Sequence, residues 1–176
     1  MNLTRRFAVL LSAAALALAV IVPGAIARDD PSTGAAWIIG TANFTYENVL
    51  ADAINDEHHR VCGTWLDSEA NLDSYARYKA ADMGWENYYS HINEQGHAYY
   101  DLWPNGAITY SGQNAAEILV YNTYADLYSA GQAMNSFMGS PTHKAAIQNC
   151  VYVDFGVGNF KANNGRRYWV AEFKKP

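Results

Sequence analysis

Two stretches in the first half of the chain carry apolar residues at helical spacing. The first stretch predicts a helix over about residues 46–61, with Gly63 placed to end it. Polar residues lie off its apolar stripe, so one face of this helix should pack against a core. The stripe comprises Val49, Leu50, Ala53, Ile54 and Val61.

The second stretch predicts a helix that Asp67 or Ser68 caps and that runs to Met83. Gly84 is placed to stop it. Its apolar residues again share one face, which we expect to be buried. They are Leu72, Tyr75, Ala76, Ala80 and Met83.

Two further helices are predicted in the second half of the chain. One covers about residues 124–138. A shorter one follows at once, with Ser140 as its cap and Pro141 at the first helical position, and continues to about Gln148.

The end of the chain has the pattern of a β-hairpin. Strands are predicted over 152–160 and 167–173, and the turn Asn163-Asn164-Gly165 between them is a strong hairpin signal. Runs of helices followed by a terminal hairpin indicate an α+β fold with an antiparallel sheet.

The N-terminal segment, residues 1–27, is predicted to be a secretory signal peptide. Two arginines precede an apolar run over 7–22, and Ala25-Ile26-Ala27 forms a small-x-small cleavage site. A membrane anchor is the alternative, but the run is shorter than the ~18–20 residues that a membrane span needs. We therefore expect no membrane span after cleavage, a linker over 28–43 and one domain over 44–176.

The composition and charge of the chain restrict the kinds of molecule that it can bind. The chain has 176 residues, a net charge of -5 and 50% hydrophobic residues, so it can build a core. Nucleic-acid binding requires a basic face, which an acidic chain with 12 Lys and Arg does not offer. We expect an exported monomer that binds no nucleic acid.

Cys62 and Cys150 are the two cysteines of the chain. In an exported protein, an even count is most simply interpreted as one disulfide, here closing a loop of about 90 residues. Two free buried thiols are the alternative.

Several short motifs occur in order along the chain, beginning with Ile54-Asn55, Arg60 and Trp65-Leu66-Asp67. The later segments are Tyr89-Ser90-His91, Gly112-Gln113-Asn114, Ser140-Pro141-Thr142-His143-Lys144, Phe155-Gly156-Val157-Gly158 and Tyr168-Trp169-Val170-Ala171-Glu172-Phe173. In this order, the motifs resemble those of the CAP superfamily, the SCP-like domains of cysteine-rich secretory proteins, antigen-five allergens and plant pathogenesis-related proteins. The resemblance covers most of the mature chain.

The resemblance implies an α-β-α sandwich with a central antiparallel sheet flanked by helices. It also implies a surface cleft in which two His and two acidic residues bind a divalent metal such as zinc. The two histidines, and hence the implied metal ligands, fall on His91 and His143. The two acidic positions fall on Gln113 and at or near Ser140, so the matched carboxylates are missing.

A carboxylate orients a metal-bound imidazole and offsets the charge of the cation, which Gln113 cannot do. Glu117 lies four residues further on and enters the cleft if the local backbone turns it inward. The alternative is that Glu117 faces solvent. His91 and His143 have a structural alternative too, as polar residues that hold loops on the sheet. Ser140 fits a helix cap better than a nucleophile.

These observations favour a secreted, non-enzymatic binding module for a lipid or sterol-like ligand or a surface partner. One alternative is a metal-dependent hydrolase or protease that uses His91 and His143, with Glu117 as base. Another is a module that binds cell-wall glycans through Tyr99, Tyr100 and Trp103, which lie in an aromatic segment without helical or strand period.

Overall fold

The computed structural model describes residues 26–29, 36–39, 44–93, 96 and 115–176. Strand β1 (Ile26–Asp29) pairs antiparallel with strand β2 (Ala36–Ile39). Strand β1 spans the predicted cleavage point, and β2 lies within the predicted linker. Most of the predicted signal peptide lies outside the described residues, so that segment and the domain boundary stay predictions.

Helix α1 (Phe44–Cys62) agrees with the helix predicted over 46–61. Gly63 follows it with a positive φ of 73°, and its N–H donates to the carbonyl of His59, so the predicted stop is confirmed. Leu50 and Ile54 are fully buried. Val49 and Val61, however, are exposed, so the predicted apolar stripe is wrong at these two positions.

The segment after α1 differs from the prediction of a helix cap. Asp67–Ser68 forms a short strand, β3, because its backbone pairs with residues 154–155 of a later strand. Helix α2 (Ala70–Trp85) begins after Glu69, whose side chain makes no capping hydrogen bond. All five residues predicted for the inner face of α2 are buried.

Gly84 lies inside α2 and does not stop it. A Cβ atom at this position would lie 2.4 Å from the ring of Phe160, so the absence of a side chain serves packing instead. A local pattern cannot reveal this contact, because Phe160 is distant in sequence.

A four-stranded sheet forms the centre of the domain. It contains β3 and three longer strands, β4 (Ala115–Asn122), β5 (Asp154–Lys161) and β6 (Arg167–Lys174), in the order β3-β5-β6-β4. The β5–β6 hairpin confirms the prediction, with Gly165 at a φ of 85° in its turn. The sheet is mixed rather than wholly antiparallel, because β3 runs parallel to β5. The sequence analysis missed strand β4, as it also missed the short strands β1, β2 and β3.

Two helices lie between β4 and β5 along the chain. They are α3 (Asp126–Gly139) and α4 (Pro141–Ile147), close to the predicted ranges. Ser140 caps α4 as predicted, since its hydroxyl accepts a hydrogen bond from the backbone N–H of His143.

Side chains of β4 and β6 alternate between two hydrophobic clusters on opposite faces of the sheet. Ile118 and Ala171 join residues of α1, α3 and α4 on one face. Leu119 and Val170 join residues of α2 on the other face. The fold is therefore an α+β sandwich with helices on both faces of the sheet, as expected.

Helix α2 lies unusually close to β5. Cβ atoms on Gly156 and Gly158 would lie 2.3 Å and 2.1 Å from backbone atoms of α2. Two glycines on one face of a strand therefore allow the helix backbone to rest directly on the sheet.

Cys62 and Cys150 form a disulfide, which confirms the predicted pairing. The bond joins the end of α1 to the segment after α4. Within residues 44–93 and 115–176, no helix is both long enough and apolar enough to cross a membrane.

Candidate functional site

The site begins with a histidine held by a buried carboxylate. His91 follows α2, and its Nδ1 atom lies 2.7 Å from Oε1 of Glu117, the third residue of β4. The side chain of His91 is 54% exposed, whereas that of Glu117 is 0% exposed. Because an ionised carboxylate only accepts hydrogen bonds, Nδ1 of His91 carries the hydrogen in this pair. The pair fixes the ring orientation and leaves Nε2 for other contacts.

His143 lies on the first turn of α4, and its ring packs edge-on against Phe137 at a centroid distance of 5.5 Å. Burial lowers the pKa of His143, and the charge of His91 lowers it further. The two predicted cleft histidines are therefore close enough to interact electrostatically.

Ser140 supports the start of α4. Its Oγ atom accepts from the N–H of His143 at 3.5 Å and lies 3.1 Å from the hydroxyl of Thr142. Gln113, the other predicted cleft residue, lies outside the described residues, as do His97, Tyr99, Tyr100 and Trp103.

A group of buried polar residues lies behind His91. Lys79, on α2, donates to the hydroxyl of Tyr88 at 3.1 Å and to the carbonyl of His91 at 3.2 Å. Tyr88 in turn donates to Asp82. Glu172, on β6, lies directly opposite Glu117 in the strand register. Lys79, Asp82 and Glu172 are all buried.

Sequence reasoning missed this cluster, although one signal was present. Lys79 falls on the same helical stripe as Leu72, Tyr75 and Ala76, which the pattern assigned to the buried face. A lysine on such a stripe indicates a buried cation that needs polar partners. Its partners are unreadable from local sequence, since they come from other elements.

Burial dominates the electrostatics of this cluster. It raises the pKa of Glu172 well above the ordinary value, and the charge of Glu117 raises it further. Burial lowers the pKa of Lys79, while the charges of Glu117, Asp82 and Glu172 oppose that shift. A proton on Glu172 is thus favoured by its surroundings.

Aromatic and apolar side chains next to His91 along the chain are exposed at the surface. Tyr89 and Ile92 are each 46% exposed. The hydroxyl of Tyr89 donates to the carbonyl of Leu119 at 2.7 Å, which holds its ring over β4. The ring of Tyr121 meets that of Tyr89 edge-on at 5.1 Å. His91 is therefore a polar group within a partly apolar surface.

The other two histidines of the described chain serve the fold. His58 is fully buried, with Nδ1 2.8 Å from the carbonyl of Ile147. The ring of His59 stacks on Trp65 at 4.0 Å.

The divalent metal that the resemblance implies would need several side-chain donors at this site. Among the residues that the structure describes, no group of three or more His, Cys, Asp or Glu side chains is arranged to hold a metal ion. His91 and His143 supply two imidazoles, whereas zinc sites use three or four protein ligands. The residues do not fit a complete zinc site, and metal binding at His91 and His143 stays a prediction.

Comparison of the sequence with known proteins yields no match to a family model and none to a curated protein. Comparison of the structure yields clear neighbours. An outer surface protein from Borrelia burgdorferi has a TM-score of 0.60 at 18% identity, over 74% of this chain and 92% of its own.

An extracellular protein containing a SCP domain from Bacillus anthracis has a TM-score of 0.63 at 18% identity, over 76% of this chain. The match covers 41% of that protein, so this chain spans less than half of its length. A structure of NaASP2 with Zn²⁺ has a TM-score of 0.53 at 9% identity, over 75% of this chain and 80% of that one. At these identities the similarity establishes the fold.

Proposed function

Because this chain has the CAP-superfamily fold, we propose that it is an exported, non-enzymatic binding module whose ligand contacts the cleft at His91 and His143. The predicted signal peptide supports export. So do the descriptions of two structural neighbours as an outer surface protein and an extracellular protein. The disulfide is typical of exported proteins.

The observation that carries the proposal is the half-exposed imidazole of His91, anchored by a fully buried carboxylate. The anchor keeps one polar group in a fixed place at the surface. Tyr89 and Ile92 present apolar surface beside it. This combination fits a ligand with an apolar body and one polar end, and we therefore propose a lipid or sterol-like molecule.

The same contacts speak against the catalytic roles considered for these residues. Ser140 is engaged in capping α4, and both cysteines are bonded to each other. Glu117 has no exposed side-chain surface, so it orients His91 and does not act as a base on a water molecule.

The proposal is tested with a fluorescent sterol and the purified exported protein. Burial of an Ile side chain contributes roughly 1.5–3 kcal/mol, so covering the exposed half of Ile92 should contribute about 1 kcal/mol. We expect Ile92→Ser to weaken sterol binding about fivefold. Val49→Ser is the matched control, because Val49 is 50% exposed on α1 and should leave binding unchanged. Failure of the sterol to bind saturably, or equal losses in both variants, would contradict the proposal.

A metal-dependent hydrolase is the second candidate, favoured by the 2.7 Å contact between His91 and Glu117. Carboxylates in this position orient metal-binding histidines in many sites. Two imidazole donors are an incomplete set, and we derive no catalytic step from them. Calorimetric titration of Zn²⁺ near pH 7 decides the matter. Saturable binding that His91→Ala abolishes would favour this candidate, and its absence would remove it.

Binding of cell-wall glycans through Tyr99, Tyr100 and Trp103 remains a separate prediction, since these residues lie outside the described ranges. Retention of the protein on insoluble cell-wall glycan, lost when Trp103 is replaced by Ala, would favour that role over sterol binding.

A further inference from the structure

Glu117 and Glu172 form an unusual pair of buried acids. They lie directly opposite each other on the neighbouring strands β4 and β6, where facing side chains are in contact distance. Both are buried. If both acids were ionised, each would keep one buried oxygen atom without a hydrogen-bond donor. These atoms are Oε2 of Glu117 and Oε1 of Glu172.

Among the residues that the structure describes, Lys79 supplies the buried positive charge beside the two acids. On α2, Lys79 and Asp82 face the pair, and Lys79 gives hydrogen bonds to Tyr88 and to the carbonyl of His91. The ammonium of Lys79 therefore interacts with both acids of the pair and with Asp82 at once. A buried charge without a partner is costly, so the pair is best satisfied by one proton between its two orphaned oxygens.

The contacts also indicate which acid carries this proton. Oε1 of Glu117 is already engaged by Nδ1 of His91 at 2.7 Å, which leaves its Oε2 atom to face Glu172. Glu172 has Glu117 on one side and Gly156 on the other, in register on β5. Because Gly156 lets the backbone of α2 rest on the sheet, Glu172 is shielded from water. Burial and the charge of Glu117 both raise the pKa of Glu172.

We propose that Glu172 is a positioning residue of the cleft. It stays protonated at neutral pH, donates its hydroxyl hydrogen to Oε2 of Glu117, and thereby holds Oε1 of Glu117 on Nδ1 of His91. The inference concerns the cleft of the proposed function and deepens it. Its test uses no ligand, so either the positioning role or the binding role can fail alone.

Two substitutions separate the donor role of Glu172 from its bulk. Glu172→Gln keeps the shape and an N–H donor but cannot ionise, whereas Glu172→Leu keeps volume and removes the donor. The first measurement is the infrared carbonyl band of a protonated carboxyl at pH 7, identified by its shift in D₂O. We expect this band in the wild-type protein and its loss in Glu172→Gln.

The second measurement is the exchange with water of the Nδ1 hydrogen of His91, followed by NMR. We expect exchange in Glu172→Gln to match the wild type. In Glu172→Leu it should be about tenfold faster, as expected when one supporting hydrogen bond is lost. A merely structural role for Glu172 would not produce this difference between two variants of similar volume.

Three results would overturn the proposal. They are the absence of the infrared band in the wild-type protein at pH 7, its persistence in Glu172→Gln, and equal His91 exchange in both variants. If Glu172→Leu does not fold, the infrared comparison of the wild type with Glu172→Gln still decides the question.

Discussion

The close contact between α2 and the sheet makes Gly158 a sensitive position. A Cβ atom there would lie 2.1 Å from the backbone nitrogen of Arg77 and 2.3 Å from the carbonyl carbon of Ala76. Ordinary contacts of a Cβ atom are 3.4–4 Å. Gly158→Ala therefore forces α2 to withdraw from the sheet by about 1 Å or more, because backbone atoms cannot rotate away as a side chain can.

The expected loss of unfolding free energy follows from the tight packing of α2 on the sheet. Overpacking of a core costs typically about 1–3 kcal/mol, and a rigid backbone obstacle places Gly158→Ala at the upper end, so we expect a loss of about 3 kcal/mol. That is a large part of the roughly 5–15 kcal/mol that stabilises a domain. Because Lys79 on α2 contacts the carbonyl of His91, the same displacement should disturb the cleft.

Urea unfolding followed by circular dichroism measures this loss. The matched control is Gly131→Ala, since Gly131 lies on α3, is exposed, and would have no atom within 4 Å of an added Cβ. There the same change should stabilise the protein by about 0.5–1 kcal/mol, through helix propensity. A neutral effect of Gly158→Ala, or a shift of stability in the same direction in both variants, would refute this role of Gly158.

Three further predictions concern the disulfide, the buried acid and the helix cap. Replacing both Cys62 and Cys150 by Ser removes a cross-link between residues 88 positions apart and should lower the free energy of unfolding by about 4–5 kcal/mol. A loss below about 1 kcal/mol in urea unfolding would contradict this. Burial raises the pKa of Glu172 in the folded protein well above 4.5, its value in the unfolded chain. The stabilising contribution of its neutral form is therefore fully present below pH 4.5 and is lost as the pH rises toward the folded pKa. Glu172→Gln should therefore gain stability relative to wild type between pH 4 and pH 7, whereas parallel pH profiles would disprove the shift. Ser140→Ala should lower the free energy of unfolding by about 1 kcal/mol, because the backbone N–H of His143 loses its capping hydrogen bond. An unchanged Tm in thermal unfolding would show that the cap contributes nothing.

Local patterns predicted the elements whose signals lie within a few residues. The apolar stripe of α2, the cap at Ser140 and the Asn163-Asn164-Gly165 turn each act through neighbouring backbone or one helix face. The predicted disulfide was confirmed, since the chain has two cysteines and they offer one pairing within it. The order of short motifs was enough to predict the fold.

Elements that depend on distant partners were predicted poorly. Asp67–Ser68 has the composition of a helix cap, yet it forms a strand because the backbone of β5 lies beside it. Val49 and Val61 fit a buried stripe by spacing, but both side chains are exposed. Gly84 looks like a helix stop, and only the ring of Phe160 reveals its role.

The sequence by itself determined the helices and the terminal hairpin, and it selected His91 and His143 as the candidate residues of the site. The tertiary structure alone decided that Glu117 is the carboxylate behind His91 and that Glu172 lies behind Glu117. The physical reason is that burial of a polar group depends on strand register and on how closely a helix approaches the sheet. Both are properties of contacts between elements far apart in the chain, and no local pattern carries them.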